Sequence, residues 1–549
     1  MRGKLLDPWQ SGILLLAVIL AIPALAVISF IFAPSTSDIW QHLRATVLQD
    51  YILNSLTLVI GVGLGTLLLG VSTAWLTSLC DFPGRKFFSW ALLLPMAIPA
   101  YILAYTYTGM FDVAGPVQNW IRDTFDLGYR DYWFPEIRSM GGAISMLSLV
   151  LYPYVYLLTR TAFLSQSVCV LEASRTLGCG VWRSFFTVAL PLARPAIVAG
   201  ISLAMMETLA DYGTVKYFGI NTFTTGIFRT WFGLDSTAAA AQLATFLLGM
   251  VIILVVIEQL SRHQARFHHT TGRYKRLPRY QLKGFSAFFA FLACLLPLFA
   301  GFILPAGQLL QWAISTSEKM LNAQFGTLAL NSFLLAAIAA VVTLLLALFL
   351  AYGQRLRPSK LTFSAVRFAS MGYAIPGAVI AVGVMIPFAL FDNSVDTWMR
   401  EHFNYSTGLL LSGTLFAVLF AYIVRFLAIS LHAVETGLGK IKPSIDEAGR
   451  LLGCGPVELL RRVHIPVMRG AVLTALLLVF VDVLKELPAT MILRPFNFNT
   501  LAVRAFELAS DERLADSSTA ALAIVVAGII PVILLSRSIS QSRPGHETT

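Results

Sequence analysis

A chain of 549 residues in which 57% are hydrophobic and 13% charged, with a mean hydropathy of +0.74, is excluded from the soluble proteins. Its apolar runs last about 20 residues, the helix length that crosses a bilayer, and lack the alternation of a membrane β-barrel. The net charge of +11 would suit nucleic acid, but the basic residues follow membrane topology instead, so membrane lipid is the expected partner and nucleic acid is not.

Apolar runs predict spans at roughly 12–33, 53–79, 89–110, 139–162, 190–212 and 236–260, then 284–313, 328–353, 362–391, 408–434, 466–490 and 516–538. The reading is an all-α polytopic membrane protein of about twelve helices. The run at Ser11–Phe32 exceeds a typical signal core and is read as an uncleaved first helix. Sequence pairs recur across the chain: Asn54-Ser55 with Asn331-Ser332, Ala97-Ile98-Pro99 with Ala374-Ile375-Pro376, and Thr225 and Arg229 with Thr500 and Arg504. The expected organisation is therefore a first repeat at 1–260, a basic linker at 261–283 and a second repeat at 284–549. An even number of spans in each half gives the halves the same orientation, related by a pseudo-two-fold axis along the membrane normal.

Lys and Arg cluster at the ends and loops that share one side: Arg2 and Lys4, Arg85 and Lys86, the linker, Arg355, Arg357, Lys360 and Arg367, and Arg537 and Arg543. That places both termini in the cytoplasm of a multi-pass chain. The linker has seven Lys or Arg and no acid, suited to anionic headgroups. Opposite loops are acidic, with Asp112, Asp123, Asp126, Asp131 and Glu136 in one, Asp392, Asp396 and Glu401 in its counterpart, and Glu507, Asp511, Glu512 and Asp516 in the last. They are either ordinary solvated charge or a docking face for an external protein.

One polar stretch occurs twice on the basic side, at Leu171–Ala196 and Asp446–Ala471. Glu172-Ala173 matches Glu447-Ala448, Gly178 matches Gly453, Cys179 matches Cys454 and Pro191 matches Pro466, all 275 residues apart. Each copy predicts a short helix broken at the glycine, then an amphipathic stretch rising to a hydrophobic-Pro step. Leu177, Trp182, Phe185, Leu452 and Leu459 supply an apolar face and Arg175, Arg183, Arg450, Arg461 and Arg462 a charged rim. Such a knob suits a partner's groove, although an interfacial connecting helix fits equally.

Glu-Ala-x-x-x-x-Gly followed by hydrophobic-Pro resembles the coupling loop of importer permeases of the ATP-binding cassette (ABC) class. The one departure is Ser174 and Gly449 in place of a third-position Ala. The resemblance implies the type I ABC importer fold, and it implies that Glu172, Ala173, Gly178, Pro191, Glu447, Ala448, Gly453 and Pro466 dock on an ATP-hydrolysing subunit. The chain has no Gly-x-x-x-x-Gly-Lys-Ser/Thr phosphate loop. No cofactor is therefore expected in this chain: Mg-ATP belongs to a separate, homodimeric ATP-binding subunit, and this chain is a transport subunit rather than an enzyme.

Ionisable residues inside spans mark function by default. Glu207 and Asp211 in the first repeat match Asp482 and Glu486 in the second. Their i, i+4 spacing predicts one helix face for each pair, with Tyr212 as a further oxygen donor. Four carboxylates on one pathway suit a hard cation, including a trivalent one; alternatively they pair at the membrane boundary with Lys485, Lys216 or Arg494. Lys485–Ala502 and Thr208–Thr214 also resemble the fused, two-repeat permeases of ferric-iron importers of the bacterial inner membrane. That implies Fe(III) delivered by a periplasmic binding protein at the outer loops, passing the carboxylates transiently with no stable metal site. Thiamine or organophosphonate permeases share this architecture, and an ion-coupled secondary transporter is the alternative from another class.

Overall fold

The structure, a computed structural model, describes residues 7–32, 37–129, 131–165, 180–263 and 279–541. Ten helices are long and apolar enough to cross a membrane, and there are up to twelve if two bent pairs each count as one span. Strand pairing among the described residues is confined to a short parallel bridge between Cys80–Asp81 and Tyr280–Gln281.

The spans show why a membrane helix carries little amphipathic pattern. Ala323–Leu356 buries Ser332, Ala336, Ala339, Ala340, Thr343 and Ala347 and leaves Leu334, Ile338, Val341 and Leu345 exposed. Small residues let helix backbones approach closely, while large aliphatic ones face the hydrocarbon.

The chain packs as two compact units, and neither is one sequence half. The first comprises Met1–His42, Gly226–Leu248 and Asn322–Arg504. Its centre is Ala323–Leu356, Leu415–Gly439 and Arg469–Leu484, packed on one another, and Pro8–Ser29 lies against Lys360–Ala369 and Gly377–Phe403. The second comprises Leu43–Thr225, Gly249–Leu321 and Ala505–Thr549. Its centre is Leu48–Leu79, Met140–Ser165 and Leu190–Ala210, and Leu304–Met320 packs on Leu514–Gln541. Each unit thus takes its central helices from one repeat and a first helix from the other.

One predicted span is interrupted and another is displaced. The run at 89–110 is interrupted: Arg85–Ala97 and Ala100–Phe125 meet at 90°. The run at 362–391 is instead a short helix, Lys360–Ala369, and a span that begins at Gly377. The cause in both is the duplicated Ala-Ile-Pro. Proline pushes its predecessor out of the helical region, and Ile98 and Ile375 are extended, with ψ of 119° and 125°. Ser359 restarts the chain with a reciprocal capping box to Thr362.

Helices approach closely at Gly200, where an added Cβ would lie 2.8 Å from the Val155 Cα. A backbone atom cannot swing aside. Gly200→Val is expected to cost about 1–3 kcal/mol, read as a lower melting temperature and a loss of the monodisperse peak in size-exclusion chromatography of the detergent-solubilised protein.

Candidate functional site

The second repeated stretch is a helical hairpin. Pro443–Leu451 forms its first arm, with proline in the first turn and Asp446 near the positive end of the helix. Gly453 ends it at φ +83°. Gly453 N–H donates to the Arg450 carbonyl and Cys454 N–H to that of Gly449, both at 3.0 Å, a Schellman closure. Glu447, Ala448 and Gly453 are exposed, with Leu451 and Leu452 at 89% and 84% exposure beside them. Leu459, expected on this apolar face, is buried. It packs where a Cβ on Gly449 would lie 2.5 Å from its Cδ1, so Gly449 leaves room inward for it.

The second arm carries the hydrophobic-Pro step. Ile465 N–H bonds to the Leu460 carbonyl, five residues back, and Leu190 N–H to that of Phe185 in the first repeat. A wider turn therefore precedes Pro466 and Pro191 alike, where the missing proline N–H interrupts the regular ladder. The chain then bends by 83° into Arg469–Leu484. In the first copy, Glu172, Ala173, Gly178 and Cys179 lie outside the described residues, as does most of the linker. Pro191 sits in the first turn of Leu190–Ala210.

A polar cluster the sequence reading missed lies under the second hairpin. Arg355 Nε donates to Asp446 Oδ2 at 2.7 Å, while its Nη1 and Nη2 donate to the carbonyls of Leu438 and Ile441 at 2.6 and 2.8 Å. His464 Nε2 lies 2.6 Å from Asp446 Oδ1. The His464 ring is fully buried, with Tyr352 edge-on at 5.3 Å. Tyr352 donates to the Pro456 carbonyl at 2.9 Å. Burial alone would raise the Asp446 carboxyl, but the hydrogen bonds and charge of Arg355 and His464 outweigh it and hold it below its ordinary value.

The membrane carboxylates divide by role. Helix Leu190–Ala210 ends one residue before Asp211, and Arg469–Leu484 two before Glu486. The expected shared helix face therefore stops short of both. Asp211 turns into the next segment, accepting from Thr214 Oγ1 at 3.0 Å and Val215 N–H at 3.1 Å. Glu486, 5% exposed, accepts from the N–H groups of Ala489 and Thr490, each at 3.0 Å, and from Thr490 Oγ1 at 2.7 Å. Its charge partner is Arg425 at 3.0 Å, a residue inside a span that the sequence reading passed over. Asp482 pairs with Lys485 at 2.7 Å. Tyr212 is buried with its ring against Phe506. Glu207 is part-exposed and makes no hydrogen bond or ion pair to the described residues. Of the outer acids, Asp392 is 1% exposed and binds the N–H groups of Leu411 and Ser412, so it is a loop anchor rather than a docking charge.

Two outcomes follow. Glu486→Ala removes the carboxylate paired with Arg425 and uncaps Pro488–Leu493, and is expected to cost about 3–5 kcal/mol, seen as lost folded yield; Glu486→Gln, which still accepts hydrogen bonds, is milder. The depressed Asp446 pKa adds stability that is present above the ordinary value of 3.8 and is lost as pH falls through the folded value. Thermal scans of wild type against Asp446→Asn are expected to differ at neutral pH and to converge in acid.

Both repeats match the family of binding-protein-dependent transport system inner membrane components, over residues 66–266 and 343–543. The Fe(3+)-transport system permease protein FbpB 2 of Haemophilus influenzae is 27% identical over 498 residues, covering 89% of this chain and 90% of that protein. The ferric transport system permease protein FbpB of Actinobacillus pleuropneumoniae is 23% identical over 88% of this chain and 71% of its own length. The molybdenum transport system permease protein ModB of Escherichia coli is 30% identical over 152 residues, 28% of this chain and 63% of that protein. With two family domains fused in one multi-span polypeptide, the chain belongs to the inner-membrane permeases of binding-protein-dependent, ABC-type importers.

Proposed function

We propose that this chain is the permease through which Fe(III), handed over by a periplasmic binding protein, reaches the cytoplasm by alternating access. The observation that carries the reading is extent: the likeness to a ferric permease runs through both repeats and nearly the whole of each chain, whereas the likeness to the molybdenum permease covers 28% of this one. The hairpin at Glu447–Pro466, with Glu447 and Ala448 exposed, and its sequence counterpart at Glu172–Pro191 receive a homodimeric ATP-binding subunit. That subunit holds Mg-ATP, and this chain hydrolyses none. Both termini lie in the cytoplasm, and the acidic outer loops face the binding protein.

Glu207 and Asp482 are the pathway carboxylates. Glu207 is spared structural duty among the described residues, and Asp482 is held only at the surface of its helix by Lys485. Asp211, Glu486 and Tyr212 shape the segments beside them. Hard oxygen anions attract a trivalent cation and repel anionic cargo.

The test is radiolabelled ferric uptake in proteoliposomes that contain the chain, its co-purifying ATPase and its binding protein. Uptake is expected to require ATP. Glu207→Gln with Asp482→Asn is expected to slow it about tenfold, equivalent to ~1.4 kcal/mol of barrier, with the ATPase still bound. Uptake that ignores ATP depletion would refute the importer reading, and ATP-driven accumulation of thiamine or a phosphonate in place of iron would refute the cargo.

A further inference from the structure

The coupling stretch of the second repeat is anchored by a cluster whose residue types the first repeat does not reproduce. In the second, a single guanidinium ties three elements together: the end of its own helix Ala323–Leu356, the carbonyls of Leu438 and Ile441 that close the preceding helix, and Asp446 on the hairpin's first arm. The other oxygen of Asp446 holds His464 on the second arm. Both arms of the hairpin are thus fixed to one carboxylate, and that carboxylate to one long membrane helix. Asp446 neighbours Glu447, the exposed end of the docking surface. The planar fork of arginine resists rotation as well as separation, and the side chains involved are largely withdrawn from solvent, at 18% exposure for Arg355, 14% for Asp446 and 0% for His464. His464 Nδ1 is buried and has no partner among the described residues, so Asp446 alone fixes the polar side of the ring.

The first repeat has none of these groups. The 277-residue register of Asn54-Ser55 with Asn331-Ser332 puts Trp75 at Tyr352 and Ser78 at Arg355; the 275-residue register of the repeated stretch puts Leu171 at Asp446 and Ala189 at His464. Leu171 is outside the described residues. Trp75 packs against Phe185 at 4.5 Å, Phe163 at 5.8 Å and Tyr280 at 6.1 Å between ring centroids. Ser78 and Ala189 are buried. A buried aromatic cluster thus stands where the second repeat carries its forked ion pair.

We propose that Arg355, Asp446 and His464 form a clasp that transmits displacement of the second coupling hairpin directly into helix Ala323–Leu356. These are positioning residues; none is assigned to cargo or nucleotide. The inference rests on the reading that Glu447–Pro466 receives the ATPase.

The measurement is the number of Fe(III) ions moved per ATP hydrolysed, in proteoliposomes holding this chain with its ATPase subunit and binding protein. Arg355→Gln and Asp446→Asn are expected to lower that ratio at least about fivefold, the low end of usual coupling effects, with the ATPase still co-purifying. Arg355→Lys, which keeps the charge and loses the fork, is expected to fall between. In the first repeat, Trp75→Phe is expected to leave the ratio near wild type. If the single variants fail to assemble, the exchange Arg355→Asp with Asp446→Arg decides: recovery of assembly and part of the ratio supports the clasp, and no recovery overturns it. An unchanged ratio in assembled Arg355→Gln, or an equal loss in Trp75→Phe, also overturns it. Absence of any bound ATPase on the wild-type chain would instead remove the underlying reading.

Discussion

Hydrocarbon offers no hydrogen bonds, so every break in a membrane helix must be satisfied from within the protein. That constraint decides where this chain spends its charge. The helix that ends at Ala210 is followed at once by Asp211, whose carboxylate takes up donors of the next segment. The helix that ends at Leu484 is followed by Glu486, which does the same for Pro488–Leu493 and also neutralises Arg425. The prolines of the hydrophobic-Pro steps fall just after wider turns in both repeats. Breaks and polar residues coincide because neither is tolerable alone.

This coincidence limits what a buried acid says about transport. Asp211 and Glu486 are duplicated and polar, yet their oxygens are occupied by the chain's own donors. Glu207 and Asp482, one turn earlier, are less committed, and the pathway reading rests on that difference. The clasp obeys the same logic at the membrane edge, where Arg355 and His464 converge on the Asp446 carboxylate.

Much of this was legible in the residues. Apolar run length gave the spans, and the Glu-Ala-x-x-x-x-Gly repeat gave the duplication and, through family resemblance, the coupling role. The Ala-Ile-Pro pairs were visible as repeats, but a proline within an apolar run does not announce which side of it the span occupies, so the break inside 89–110 was missed and 362–391 was misplaced. Arg425 was passed over because its partner is 61 positions away, and Arg355 was read as a topology charge alone because Asp446 is 91 away. Leu459 was read as surface because amphipathic spacing cannot see the space left at Gly449. The packing units escaped entirely: Ala323–Leu356 buries small residues together with some of its leucines and turns other leucines outward, so it carries no apolar stripe to reveal its neighbour.

The interleaving of the units bears on how the molecule is made. Pro8–Ser29 is synthesised long before its packing partners, Lys360–Ala369 and Gly377–Phe403, which emerge only with the second repeat. A soluble helix left waiting so long would expose an apolar face to water and invite aggregation. In a bilayer the wait is nearly free, because acyl chains solvate Ile13, Ala17 and Leu20 almost as well as a neighbouring helix does. Insertion and packing can therefore be separated in time, and neither unit is complete until ribosome and membrane have handled both repeats. A gene encoding one repeat alone would leave that first helix without its contacts, and two such half-chains brought together would regain them only by exchanging helices.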